Sequence, residues 1–480
     1  MNFDTMANSV NVDNVEEVYV FPMSYAQERL WFVEQLVPGT AAYNAHFSMR
    51  LRGQLNVELL KRGLQELVRR HESLRTSFRT EKGRPMQAIL HPDQVRLDLP
   101  VIDLEDLALE NRQPRAQQLV NKEAATIFDL GRAPLMRALL LRLSAEEYML
   151  LLTLHHIIID AWSMGILVRE LGALYQDRGR SGRLKPLPVQ YADYAVWQRQ
   201  WLESGILEQQ LNYWREHLAG MSPLELPADR RGLDQSSKGG RIDFEVKNEV
   251  LRGLKEFAGQ NGFTLFMVLL ACFKVLLQRH TGQEDITVAT AMANRNRREL
   301  EGVVGLFVNT ILLRTDLSGD PAFTELLPRV RDITLQAHTH QDVPFEKLVE
   351  MLHPQRDQAQ NHVVKVMFIL QNAPMPGVNI SKLEITGIPA ETGAAKFDLS
   401  LVMTEHAGTL SGAVYYNADL FTTVTIQRIA EQFSTLMESV VRNPDSAISD
   451  LQIAPTGQAE ALVREFNRPL DKGPDLSPAT

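Results

Sequence analysis

The sequence predicts an α/β protein folded as two related lobes. Three observations carry that prediction: strand-like apolar runs alternate with helix-spaced ones, a Pro- and Gly-rich basic stretch interrupts the pattern at Asp177 to Pro188, and the strand–helix order recurs after it. Residues 1–18 are polar and weakly patterned. They read as an N-terminal segment, followed by a first lobe over 19–180, a second over 181–455 and a C-terminal linker over 456–480.

The elements follow in order. Ala45 to Leu51 reads as a strand, and Val57 to Arg70 as a helix with Val57, Leu60, Leu64, Leu67 and Val68 on one face. Tyr148 to Ile159 is nearly continuous apolar sequence, as a strand buried on both faces would be. Ser163 to Tyr175 follows with Met164, Leu167, Val168, Leu171 and Leu174 at helical spacing. In the second half Arg241 to Val246, a helix near Val250 to Gln260 and an apolar helix Phe263 to Arg279 echo the first unit. Leu410 to Asn417 and a helix carrying Ile426, Ile429, Phe433, Leu436 and Val440 echo the second. On this alignment Tyr415 and Tyr416 stand where His155 and His156 stand in the first lobe, so one reaction centre is expected.

Composition narrows the functional classes. The 480 residues are 44% hydrophobic and 23% charged, a globular composition that disordered and collagen-like chains do not have. A net charge of −9, from 50 Lys and Arg against 59 Asp and Glu, offers no general attraction to nucleic acid. The densest apolar stretch, Phe263 to Phe273, is far shorter than the roughly 20 residues of a spanning helix, so no membrane partner is expected. The N-terminus has neither the basic nor the apolar region of a signal peptide. A single cysteine, Cys272, excludes an intrachain disulfide and fits a reducing cytoplasm.

Chemistry concentrates at Leu154 to Ser163, where two histidines and an aspartate end a buried strand just before a helix. Consecutive strand residues face opposite ways, so His155 and His156 do not suit one metal ion, and no metal site is assigned. Two readings remain open for the pair. One imidazole faces a cleft as general base while the other packs inward as support, or both are hydrogen-bonded core histidines. Asp160 orients a histidine or pairs as a structural anion with a distant arginine; the cost of a buried unmatched carboxylate favours the pair.

With these residues in view, the chain resembles the condensation domains of nonribosomal peptide synthetases, members of the chloramphenicol-acetyltransferase-like superfamily. Ser24 to Trp31 looks like the opening signature and Arg70 to Phe78 like the second. His155 to Ser163 resembles the active-site motif HHxxxDG. Tyr191 to Gln198, Gly305 to Thr310 and His340 to Phe345 resemble three more. Six signatures in order make the resemblance specific, and it spans Phe21 to about Gln452.

The resemblance implies two chloramphenicol-acetyltransferase-like lobes in a V-shaped pseudo-dimer with a tunnel at their interface. It implies an amide-forming acyltransferase in which His156 is catalytic, His155 is buried support and Asp160 pairs with Arg295. No cofactor is bound permanently. Phosphopantetheine arms of carrier proteins, and possible coenzyme A thioesters, arrive as substrates. Expected partners are a downstream peptidyl carrier protein with its adenylation domain, and an acyl-CoA or acyl carrier donor. The protein itself is expected to be a monomer.

Several points of the resemblance bear on subtype and activity. Ala161 replaces the motif glycine, which matters only if that position needs φ above zero. Trp162, Ser163 and Gly165 flank the site, and Ser163 either contacts substrate or caps the following helix. Met23, Tyr148, Trp162 and Met403 are candidates for the tunnel wall, each a core residue on its alternative reading. The histidine pair excludes the cyclisation subtype, and the opening signature with Val343-Pro344-Phe345 separates the chain from epimerisation domains. The first signature lies close to the initiating methionine, which favours a starter domain that N-acylates the first residue of a lipopeptide. A peptide-bond-forming domain fed by an upstream carrier, a standalone acyl-CoA acyltransferase and a silent carrier-recruiting domain are the alternatives.

Overall fold

The computed structural model describes residues 18–36, 38–230, 239–352, 364–371, 383–388, 397–406 and 408–454. The proposed linker 456–480 and all but the last residue of the segment 1–18 lie outside them. In the first half the elements are β1 (Val18–Pro22), α1 (Tyr25–Leu36), β2 (Asn44–Gly53), α2 (Val57–Arg70), β3 (Thr76–Glu81), β4 (Arg84–Leu90), β5 (Val101–Asp103), α3 (Leu109–Ala125), β6 (Met136–Ser144), β7 (Glu147–His155) and α4 (Ala161–Gln176). There follow α5 (Tyr191–Trp201), α6 (Leu207–His217), β8 (Gly239–Val246), α7 (Asn248–Gln260), α8 (Leu265–Thr281), β9 (Asp285–Met292), β10 (Asn309–Asp316), α9 (Phe323–Thr339) and α10 (Phe345–Leu352). The last described elements are β11 (Val366–Gln371), β12 (Leu383–Ile388), β13 (Leu399–His406), β14 (Thr409–Asn417) and α11 (Thr423–Arg442).

Among the described residues the strands form three sheets: β1-β4-β3, β12-β2-β7-β6-β5 and β10-β9-β11-β13-β14-β8. Strand β7 explains why its sequence is almost entirely apolar. Leu150, Leu152 and Leu154 face α2 and α4, while Met149 and Leu151 face Ala116 and Val120 of α3. Both faces are covered, so period-2 alternation of polarity disappears. Helix α2 keeps its single stripe, with Leu60, Leu64, Leu67 and Val68 buried, because only one of its sides meets the sheet. Helix α8 is buried from Met267 to Leu277, which accounts for a composition that resembles a membrane segment. No single helix among the described residues is long and apolar enough to cross a membrane. Cys272 sits in this helix at 0% exposure, and burial pushes its thiol pKa up.

Packing does not follow the order of the chain. The core of the first sheet takes in Val189, Tyr191 and Tyr194, and then Leu300, Val303, Val304, Leu306, Phe307 and Leu383 from much later in the sequence. Strand β12 pairs antiparallel with β2, Leu383 opposite Gly53, and so closes an edge of the first sheet. The expected cut at 180/181 therefore separates residues that share one core.

The internal repeat is present in shifted register. Strands β2 and β7 pair as β8 and β14 do, and in each case a helix follows. His155 lies opposite Asn44, the first residue of β2; Asn417 lies opposite Gly239, the first of β8. Asp160 caps α4 and Thr422 caps α11 in the same way, through the backbone N–H three residues on. The counterparts of His155 and His156 are thus Asn417 and Ala418, two positions beyond the expected tyrosines. Strand alternation alone does not reveal a two-residue slip, because it leaves every side chain on the same face.

Candidate active site

Strand β7 ends at His155, earlier than its apolar composition suggests. There the backbone turns into one 3-10 turn over His156–Ile158. The cause is a change of partner: His155 N–H donates to Leu135 O at 3.0 Å, and His156 N–H donates to Tyr43 O at 2.7 Å. Ile159 N–H closes the turn on His156 O at 3.2 Å. The backbone of His156 is therefore held on both sides, and the residue is half-buried.

His155 is 2% exposed. Its Nδ1 accepts the Ile157 N–H at 3.2 Å, which in the neutral ring places the proton on Nε2. Tyr43 and Phe128 flank the ring at 6.4 Å and 6.2 Å between centroids. His155 thus braces the turn from inside.

Asp160 is the N-cap of α4 and accepts three kinds of donor. Oδ1 takes the Ser163 N–H at 2.7 Å, Oδ2 takes the Phe307 N–H at 3.0 Å, and Arg295 Nη2 lies 3.3 Å from Oδ1. The side chains of Asp160 and Arg295 are 4% and 2% exposed, so the charges are matched inside the protein. Arg295 also donates to Leu300 O and Val303 O, and its guanidinium lies 4.0 Å from the Phe307 ring centre. Burial holds the Arg295 pKa below its ordinary value against an opposing pull from Asp160.

Ser163 neither caps α4 nor faces outward. Its fully buried Oγ donates to Gly305 O at 2.9 Å and accepts from Gly305 N–H at 3.1 Å and Arg295 Nη2 at 2.7 Å. Asp160 fills the capping role instead. Trp162 is half-buried and donates through Nε1 to Glu301 O at 3.1 Å. Ala161 is the first residue of α4, exposed, with helical backbone and no positive φ. The missing glycine therefore introduces no strain. Gly165 is buried in the second turn of α4.

The remaining signatures build the frame around this turn. Ser24 Oγ and Tyr191 OH are 2.8 Å apart, and Tyr191 OH donates to Leu306 O. A Cβ on Gly305 would lie 1.9 Å from Tyr191 Cδ2, which is why the segment that binds Asp160 and Ser163 carries glycine there. Asn309 Nδ2 donates to Gln341 O and Val343 O, both at 2.7 Å, and ties the fifth signature to the sixth. From the second signature His71 Nε2 and Arg70 Nε meet Glu170 Oε2 on α4, at 2.8 Å and 3.0 Å. That buried cluster was not legible in sequence, since the partners lie 99 and 100 positions apart with no periodic relation. Met23, Tyr148 and Met403 are core residues.

Known proteins resemble this chain in sequence and in fold. Linear gramicidin synthase subunits C and D from Brevibacillus parabrevis are 43% and 42% identical to the chain over 452 residues. Each alignment covers 93% of this chain and 6% or 9% of the relative, so the chain spans less than a tenth of their length. The X-domain from teicoplanin biosynthesis superposes with a TM-score of 0.80 at 28% identity, covering 94% of this chain and 100% of that one. The first condensation domain of the calcium-dependent antibiotic synthetase has the same fold, with a TM-score of 0.78 at 20% identity over 91% and 99% of the two chains. The fold is the two-lobed, V-shaped, chloramphenicol-acetyltransferase-like architecture. A family model described as Condensation domain matches residues 17–463, and the chain belongs to that family.

Proposed function

We propose that this chain forms an amide between a donor thioester and the amine of an aminoacyl thioester on a peptidyl carrier protein, with His156 at the reacting atoms. The observation that carries the reading is the contrast within the motif. His155 is buried with Nδ1 engaged and Asp160 is bound by Ser163, Phe307 and Arg295, while the half-buried His156 rides a turn fixed at both ends. Phosphopantetheine arms would bring both thioesters to that imidazole.

In the reaction the amine nitrogen attacks the thioester carbonyl carbon, the C–N bond forms, the C–S bond breaks and the donor thiol leaves. One proton must depart from the attacking nitrogen. An α-amine with a pKa of about 8 is partly neutral at pH 7, and a neutral imidazole takes the proton that the attacking nitrogen sheds and passes it to the departing sulfur. Such acid–base assistance contributes about 10² to 10⁴ in rate, and holding two tethered reactants in register contributes further.

The names of the relatives, subunits of a peptide synthase, support a donor delivered on an upstream carrier, with a downstream carrier and adenylation domain as acceptor partners. Starter N-acylation from a fatty acyl-CoA is the other form of the same chemistry. Intact-protein mass spectrometry of an aminoacyl-loaded acceptor carrier separates them, with carrier-bound peptidyl donors in one arm and an acyl-CoA series in the other. A mass gain from the carrier donor alone assigns the carrier-fed form; a gain from acyl-CoA assigns the starter. Acylation of a free amine would indicate a diffusible acceptor. His156→Ala is expected to cut turnover about 10² to 10⁴-fold. Carrier binding with no transfer from any donor would overturn the reading in favour of a recruiting domain.

A further inference from the structure

Asn44 opens β2 directly opposite His155. Its side chain is buried, at 8% exposure, and its Nδ2 donates to Ala124 O at 2.7 Å and Thr126 O at 2.9 Å. These carbonyls lie at the C-terminal end of α3, where no further turn supplies amide donors. They also fix the amide's orientation, because exchanging its oxygen and nitrogen would set Oδ1 against two acceptors. Oδ1 meets no hydrogen-bond donor among the described residues, so this asparagine is engaged through its NH2.

The two neighbourhoods joined by that NH2 both end on the histidine turn. Beyond Thr126 the chain reaches Phe128, whose ring stands edge-on to His155. Arg137 reinforces the same segment by donating to Thr126 O at 2.8 Å and lying 3.8 Å from the Phe128 ring centre. On the other side, Asn44 N–H donates to Ala41 O at 3.0 Å and closes the turn that presents Tyr43 O to His156 N–H. One side chain thus ties the support beneath His155 to the carbonyl that holds His156.

We infer that Asn44 is a positioning residue for His156, acting by locking the 41–44 turn to the end of α3. Its kinetic consequence rests on the condensation activity proposed above; its effect on the backbone does not. A placement error near 1 Å can cost about 100-fold in rate, and Asn44→Leu, similar in shape without donors, is expected to lower kcat by about that factor. The KM for the acceptor carrier is expected to stay within about threefold, since no carrier contact is removed. Asn44→Asp sets a carboxylate against the two carbonyls in place of the donors and is expected to lower kcat in the same way.

The experiment measures amide hydrogen exchange and turnover together on the full chain. The His156 amide is expected to exchange at least about tenfold faster in Asn44→Leu, while the β9 and β10 amides stay as in wild type. Unchanged exchange at His156, or turnover within about twofold of wild type in a variant with a native thermal transition, overturns the inference. If Asn44→Leu does not fold, Asn44→Asp carries the same two measurements. If wild type transfers no donor at all, the functional reading fails, and amide exchange at His156 alone decides the role of Asn44.

Discussion

Arg295 meets Asp160 across 135 positions of sequence, 3.3 Å from its carboxylate, with both side chains buried. The pair fastens the N-terminus of α4 to the segment before β10, and with it the turn that bears His156. Removing one partner leaves an unmatched buried charge, which costs about 3–5 kcal/mol. Arg295→Ala is therefore expected to lower unfolding free energy by about that amount in urea titration and to depress turnover. A loss below about 1 kcal/mol would show that the pair does not secure the helix.

Gly305 has no room for a side chain against the Tyr191 ring. Gly305→Ala must displace either the tyrosine, with its bond to Leu306 O, or the backbone that serves Ser163. Overpacking of this kind costs roughly 1–3 kcal/mol. The double variant Gly305→Ala/Tyr191→Leu is expected to show strong non-additivity, the second change costing less in the presence of the first, as read by thermal unfolding.

Ala161→Gly restores the motif glycine at an exposed helical position. The substitution is expected to cost at most about 1 kcal/mol, the difference in helix propensity. Turnover is expected within about twofold of wild type, because the backbone conformation is already helical without glycine. A tenfold gain in turnover would mean that the methyl group obstructs substrate.

Lys274 is fully buried in α8, with Nζ donating to Thr315 Oγ1 at 2.9 Å and to the carbonyls of Ile286 and Leu313. Burial pushes its pKa down to about 7, against a partial opposing pull from Asp285. An unfolded lysine titrates near 10.4, so between these values the unfolded chain binds the additional proton and stability rises with pH. The penalty is full below about pH 7 and relieved towards pH 10. Lys274→Met is expected to compare more favourably with wild type at pH 6.5 than at pH 9, by on the order of 3 kcal/mol. Equal differences at the two pH values would place the lysine charge outside the folding equilibrium.

Much of the local architecture was legible in the residues. The stripe on α2 reproduced the helix Val57–Arg70, and the apolar run before Asp160 gave a central strand followed by a helix. Long-range hydrogen bonds set the features that local periodicity does not carry. Nothing in Leu154 to Ile159 announces that Tyr43 O captures His156 N–H and ends the strand one residue after Leu154. Nor does Ser163 reveal that its hydroxyl belongs to Gly305 and Arg295 and not to the cap.

The sequence by itself determined the strand–helix units β2–α2 and β7–α4 with their echoes in the second half, the histidine motif as a strand-to-helix junction, and the family to which the six signatures point. Tertiary structure decided that Tyr43 O ends β7 at the histidine pair, that the Ser163 hydroxyl turns to Gly305 and Arg295, and that β12 and residues 300–308 complete the first core. The division has a physical basis. Side-chain periodicity records how one element meets its surroundings over a few residues, whereas the partner it meets is chosen by the closure of long loops and by the packing of the whole core.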